Sequence, residues 1–141
     1  MTPAPVRSSL RAVVLPSPDS YPLDTPTRRL LKELGHEVDR AATPEHALEL
    51  LHNEHTDLLV VDLTNNNINR QLIDSMEEMP EDKRPSQIAI YTDAMDSQLR
   101  EFRRKCSPAK VHVFLKPLHM HGLLNVVRNM EKKRLGQKAG A

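Results

Sequence analysis

The sequence predicts an α/β domain, a parallel sheet covered by helices on both faces. Five short apolar stretches alternate with five segments of helical periodicity between residues 11 and 134, the order that builds a parallel sheet through right-handed crossovers. The middle stretch, DLLVVDLT at 57 to 64, carries Leu58, Leu59, Val60 and Val61 without a polar interruption. That pattern suits a strand buried on both faces rather than one with a wet side. The same stretch closes on Asp62, at the carboxyl end of its strand, where open α/β sheets assemble their ligand chemistry.

The elements follow in order. Residues 1 to 10 carry Pro3 and Pro5 among polar neighbours and read as an N-terminal tail. RAVVL, 11 to 15, is the first strand. PSPDSYPLDTP then holds four prolines and continues neither helix nor strand. Asp24 or Thr25 caps the first helix, Pro26 suits its first turn, Leu30, Leu31 and Leu34 face inward, and Gly35 ends it. HEVDRA, 36 to 41, is a short strand towards the sheet edge, since charged residues alternate along it. Thr43 and Pro44 open the second helix, with Ala47, Leu48 and Leu51 on its buried side. After the third strand, Ile68, Leu72, Ile73, Met76 and Met79 recur at helical spacing, the methionines as gap-filling core. QIAIYT, 87 to 92, is the fourth strand. Met95, Leu99, Phe102 and Cys106 line a fourth helix whose other sides are basic. KVHVFLKP, 110 to 117, is the fifth strand. The last helix runs from about His119 to Arg134 and buries Met120, Leu123, Leu124, Val127 and Met130, leaving 135 to 141 as a C-terminal tail.

With 141 residues the chain is one domain, 11 to 134, able to bury roughly two-thirds of the surface its unfolded form exposes. It lacks an apolar run of about 18 residues and a signal-peptide pattern. The single Cys106 cannot form an internal disulfide. These features read as a soluble, cytoplasmic protein. Net charge is +1, yet residues 96 to 141 hold 11 Lys or Arg against 3 acids, while residues 1 to 95 hold 9 against 16. That asymmetry points to an acidic partner for the C-terminal part or to pairing between copies. Nucleic acid is disfavoured, because no Trp is present and no aromatic residues interleave with the basic ones.

Asp62, Thr92 and Lys116 end the third, fourth and fifth strands. In a parallel sheet those ends share one edge, so a nucleophile, a hydroxyl and a cation converge there. A phosphoryl group needs that set: the carboxylate attacks phosphorus, and the hydroxyl and ammonium stabilise the equatorial oxygens. Here the chain resembles the CheY-like receiver domain of bacterial response regulators over roughly residues 11 to 131, through LLKELGHEV, DLLVVDLT, IAIYTDA and VFLKP. The resemblance implies a flavodoxin-like (βα)5 doubly wound sheet in the order 2-1-3-4-5. It implies Asp62 as phospho-acceptor, Thr92 as switch hydroxyl, Lys116 as the phosphoryl-contacting cation and a cis bond before Pro117. The family function it implies is signalling in a two-component phosphorelay, with no enzymatic activity beyond self-phosphorylation of Asp62 from a phosphodonor.

The chain also departs from the family pattern. Receivers carry an acidic pair after the first strand that joins the acceptor in holding Mg²⁺. Here the pair falls on Pro16 and Ser17, or on Pro18 and Asp19, so at most one carboxylate is present. Mg²⁺ wants near-octahedral oxygen coordination with one or two carboxylates; the metal set that remains is Asp19, Asp62, the carbonyl of Thr64, and Asp93, a weakened site. The loop after the acceptor reads LTNNNINR, without the family's Met-Pro and Asp-Gly. Val113 occupies the position of the switching aromatic, with Phe114 beside it. His119 and His121 point to different sides of a helix and do not make half a zinc site.

The resemblance places the partner face on the fourth helix, fifth strand and fifth helix, with Arg100, Arg103, Arg104, Val113 and Arg128 presented there. A histidine kinase, an acidic-surfaced target or a second copy are the partners it implies. The reading that results is a stand-alone divergent receiver-like module, a pseudo-receiver acting through protein contacts. The alternatives are a genuine phospho-accepting response regulator and a flavodoxin-like small-ligand binder. No GxGxxG or Walker-type loop supports the last.

Overall fold

The computed structural model describes residues 9–16, 24–63, 67–92, 98–115 and 120–139. Along them run β1 (Arg11–Leu15), α1 (Asp24–Glu33), β2 (Glu37–Arg40), α2 (Pro44–Asn53), β3 (Leu58–Asp62), α3 (Asn67–Met76), a 3-10 turn (Glu81–Lys83), β4 (Gln87–Thr92), α4 (Gln98–Cys106), β5 (Lys110–Leu115) and α5 (Met120–Ala139). The five strands form one sheet in the order β2-β1-β3-β4-β5, and every pair is parallel. This is the expected flavodoxin-like arrangement. No helix among the described residues is long and apolar enough to cross a membrane.

The continuous apolar run of β3 is explained by its position. Successive side chains of a strand point to opposite faces. Leu59 and Val61 enter one core with Leu51 of α2, Leu72, Ile73 and Met76 of α3, and Phe102 and Cys106 of α4. Leu58 and Val60 enter the other with Leu31 of α1 and Leu123 and Val127 of α5. All four β3 side chains are fully buried, each stabilising the fold by roughly 1.5–3 kcal/mol relative to exposure.

Local signals set the helix ends. Gly35 adopts φ +85°, its N–H donates to Lys32 O (3.0 Å), and His36 N–H donates to Leu31 O (3.0 Å). That pair of bonds is a Schellman stop, which needs a residue tolerant of the left-handed region. Thr43 caps α2, its hydroxyl accepting from His46 N–H at 3.1 Å, with Pro44 in the first turn.

Polar groups crowd the amino edge of the sheet. Asp57 accepts from Arg11 N–H through Oδ2 (2.9 Å) and from the Arg134 guanidinium through Oδ1 (2.7 Å); Arg134 also donates to Ser9 O (2.7 Å). His36 accepts from Leu10 N–H at Nδ1 (2.9 Å), so its Nε2 carries the proton and donates to Glu131 (2.9 Å). The buried Arg11 side chain reaches Glu54 O (3.0 Å), Thr56 Oγ1 (2.7 Å) and Asp39 (3.1 Å). These contacts pin α5 and the loop after α2 to the base of the sheet.

Three boundaries differ from the sequence reading. Leu10, assigned to the N-terminal tail, is core: it is buried, and backbone bonds to His36 and Glu37 hold it beside β2. The α5 helix runs to Ala139, five residues past the expected end at Arg134; one Gly among Leu135, Gln137, Lys138 and Ala139 costs about 1 kcal/mol of helix propensity, too little to stop a helix already anchored at Arg134. Val126 is buried and Leu124 only half-buried, the reverse of the expected choice on α5.

Replacing Asp57 by Ala leaves the buried Arg11 N–H without its acceptor and releases Arg134. The expected cost is about 1–3 kcal/mol, seen as a lower urea midpoint with unchanged slope; an unchanged midpoint would show that the ionic clamp on α5 contributes nothing net.

Candidate functional site

The carboxyl edge of the sheet is assembled by register. Asp62, the last residue of β3, stands opposite Tyr91, and Thr92, the last of β4, stands opposite Leu115, the last of β5. Leu63 N–H donates to Tyr91 O (2.8 Å), so the chain stays tied to β4 one residue beyond Asp62. Asp62 is fully buried and Thr92 is 4% exposed, and both are engaged by other groups. Two of the three groups expected to converge thus lie at neighbouring strand ends, Thr92 one residue beyond the Tyr91 that Asp62 faces. The third, Lys116, lies outside the described residues, as do Pro117 with its expected cis bond, and Asp19, Thr64, Asp93 and His119.

Leu15 pairs with Val61, which sets the next residue, Pro16, level with Asp62 on the neighbouring strand exit. A proline offers no side-chain ligand. Among the described residues no group of three His, Cys, Asp or Glu side chains could hold a metal ion. Pro16 itself adds no side-chain oxygen to the cage that Mg²⁺ requires.

Tyr91 was not singled out from the sequence. It is fully buried, its hydroxyl has no hydrogen-bond partner, and burial pushes the phenol's pKa upward. Its ring packs on Phe114 with centroids 5.3 Å apart and planes tilted by 35°, an offset geometry that aromatic pairs favour. Phe114 meets α5 at Gly122, where a Cβ would run into the Phe114 ring. Val113 points the other way, into the core beneath α4. The aromatic residue of β5 therefore faces α5, not α4, and the one-residue offset between Val113 and Phe114 was the signal in the sequence.

The basic residues of α4 and α5 are not equivalent. Arg104 pairs with Glu77 (3.3 Å) and Glu101 (3.0 Å), and Lys105 with Asp74 (2.7 Å), so both cations tie α4 to α3 or to itself. Arg128 lies on the α5 flank shared with Glu131, which reaches His36, whereas Lys133 shares the flank of Gly122, which meets Phe114. Arg103 of α4 acts on His112 of β5, together with Lys110 and Lys133, and the last two were not singled out by sequence spacing alone.

One arrangement imitates a nucleophile triad. His55 contacts Ser86 Oγ (3.2 Å) and Asp57 Oδ1 (3.5 Å), but both contacts fall on Nε2. A charge-oriented base needs its two ring nitrogens divided between the partners, so the cluster is a surface hydrogen-bond set.

No protein-family model and no curated protein sequence matches the chain. Solved structures do. A CheY-like response regulator receiver domain protein from Methanospirillum hungatei superposes with TM-score 0.66 at 21% identity, over 92% of this chain and 99% of that one. A CheY-like receiver domain from Methylobacillus flagellatus gives 0.65 at 15% identity, over 86% and 98%. The response regulator TrrA from Thermotoga maritima, solved in complex with Mg²⁺-BeF, gives 0.61 at 21% identity, over 86% and 98%. The chain has the receiver-domain fold. Within that receiver fold, Asp62 and Thr92 occupy the ends of the third and fourth strands, and Pro16 follows the first.

Because the Tyr91 hydroxyl is buried and unpaired, Tyr91→Phe should keep or raise stability, by up to about 1–2 kcal/mol. Chemical denaturation checks this; a loss of more than about 1 kcal/mol would mean that the hydroxyl has a partner at the rim.

Proposed function

We propose that this chain is a divergent receiver-like signalling module that works through protein contacts, with Asp62 at the phospho-acceptor position and a degraded Mg²⁺ site. The observation that carries this reading is Pro16 level with the fully buried Asp62: the receiver fold needs further carboxylates around a metal, and the residue set beside Asp62 on the adjoining strand exit is a proline. A receiver that loses the metal loses the cation that offsets charge building up between carboxylate and phosphoryl group, so phosphotransfer slows while the fold persists. In such a module Asp62, Thr92 and Lys116 form a polar rim that holds one conformation through their own interactions, and signalling resides in the surface. The partners of this reading are a histidine kinase or an acidic-surfaced target, and a second copy docking through α4, β5 and α5.

One observation favours the genuine phospho-acceptor as second reading. Asp62 and Thr92 keep a carboxylate and a hydroxyl at adjoining strand ends, with Lys116 one residue beyond Leu115 in the sequence. In that case the chain takes phosphate onto Asp62 through an incomplete metal site, without catalysing a reaction on another substrate.

Incubating the protein with Mg²⁺ and acetyl phosphate and weighing it intact separates the two. The proposed reading expects no phosphoryl adduct on the wild type. An adduct that disappears in Asp62→Asn replaces it with the second reading.

A further inference from the structure

β5 is the outer strand of the sheet and pairs only with β4. Lys110 N–H donates to Ser86 O at 3.2 Å, which sets the phase of that ladder: residues 110, 112 and 114 turn their backbone groups towards β4, and Val111 and Val113 turn theirs outward. Such an edge is a template for one more strand. What distinguishes this one is its charge. Arg103 from α4, Lys110 from β5 and Lys133 from α5 stand around it, and the half-buried His112 lies among them, held below its ordinary pKa by burial and then by the charges of Lys110, Arg103 and Lys133. The His112 ring bonds Gln87 Oε1 (2.7 Å).

The pairing of neighbouring cations sharpens the contrast. Arg104 and Lys105 on α4 and Arg134 on α5 each hold a carboxylate. Among the described residues Arg103, Lys110 and Lys133 hold none, although each is exposed. The three uncompensated cations come from three elements and surround one open strand edge.

We propose that this edge, flanked by Arg103, Lys110 and Lys133, docks an extended acidic segment of a partner protein as a sixth strand. The segment pairs with the outward N–H and C=O groups of Val111 and Val113. Side chains of an extended strand alternate between faces, so one set of its carboxylates reaches Arg103 over the α4 face and the other reaches Lys133 over the α5 face. Nucleic acid fits less well: Tyr91 and Phe102 are buried and Phe114 is packed against Tyr91 and Gly122, so the described residues offer no free Phe or Tyr ring for a base to stack on. The proposal rests on the protein-contact reading above but not on phosphorylation, since Lys110 opens β5 at the end of the sheet away from Asp62.

The test titrates the full 141-residue chain into a fluorescein-labelled peptide of alternating Glu and Val, read by anisotropy, with amide hydrogen exchange followed in parallel. Binding should weaken roughly tenfold or more in the Arg103→Glu, Lys133→Glu double variant, stay unchanged in Lys32→Glu on distant α1, and weaken as salt is raised. The Val111 and Val113 amides should become protected. Thermal melting of each variant confirms that the fold is retained. Absence of binding, equal binding by the double variant, or binding without protection of Val111 and Val113 overturns the proposal. So does tighter binding of a single-stranded oligonucleotide of equal charge, and so does self-association of the double variant without peptide binding by the wild type, which would make the cations a guard against edge pairing. Repeating the titration on Asp62→Asn keeps this result separate from the phosphoryl-adduct assay: failure of peptide binding removes the acidic segment alone, whatever the adduct result.

Discussion

The constraint on which the rest of the structure depends is the burial of β3 on both faces. Once helices cover both sides of a parallel sheet, a central strand can hold no polar side chain along its length, and Leu58, Leu59, Val60 and Val61 leave no room for one. Polar chemistry is pushed to the two rims. Asp62 at the carboxyl rim and Asp57 at the amino rim are therefore products of one requirement, separated by four apolar residues and serving different ends.

At the amino rim the carboxylate is structural. Asp57 receives a backbone N–H from β1 and the guanidinium of Arg134 from α5, while His36 bridges Leu10 and Glu131. A buried carboxylate with two donors is well satisfied, and removing it would leave those donors stranded. By holding the distal part of α5 against the sheet, this network sets where the helix lies, and with it which flank of α5 borders β5. Gly122 against Phe114 then fixes the near end of the same helix. The placement of Lys133 beside β5, and of Arg128 away from it, follows from those two anchors.

At the carboxyl rim the receiver fold sets a proline beside the buried strand-end carboxylate. The register that brings Asp62 beside Thr92 also brings Pro16 level with Asp62. Nearby, Tyr91 is joined through its carbonyl to Leu63 and through its ring to Phe114. Leu63, next to Asp62, is thereby tied through β4 to the aromatic pair, and the pair to α5. A surface that signals by protein contact and borders α5 is consistent with that wiring, and the unpaired cations at the β5 edge give such a surface a definite chemistry.

Much of this was legible in one dimension. The apolar run of β3, the Thr-Pro opening of α2 and the Gly35 stop are local signals, readable because the period of a strand, a cap hydroxyl and a left-handed backbone act within a few residues. The same holds for Asp62 and Thr92 as strand ends, since in a parallel sheet every strand end falls on one edge. The roles of Asp57, Arg134, His36 and Glu131 were not legible, because partners 77 and 95 residues apart meet through packing that no local pattern encodes. Nor was the division of the basic residues into paired and unpaired. By itself the sequence determined the fold and which polar residues end its strands; only the tertiary structure decided that Pro16 stands level with Asp62, that Phe114 faces α5, and that Arg103, Lys110 and Lys133 share one open strand edge, because register and helix rotation are settled by contacts between distant elements.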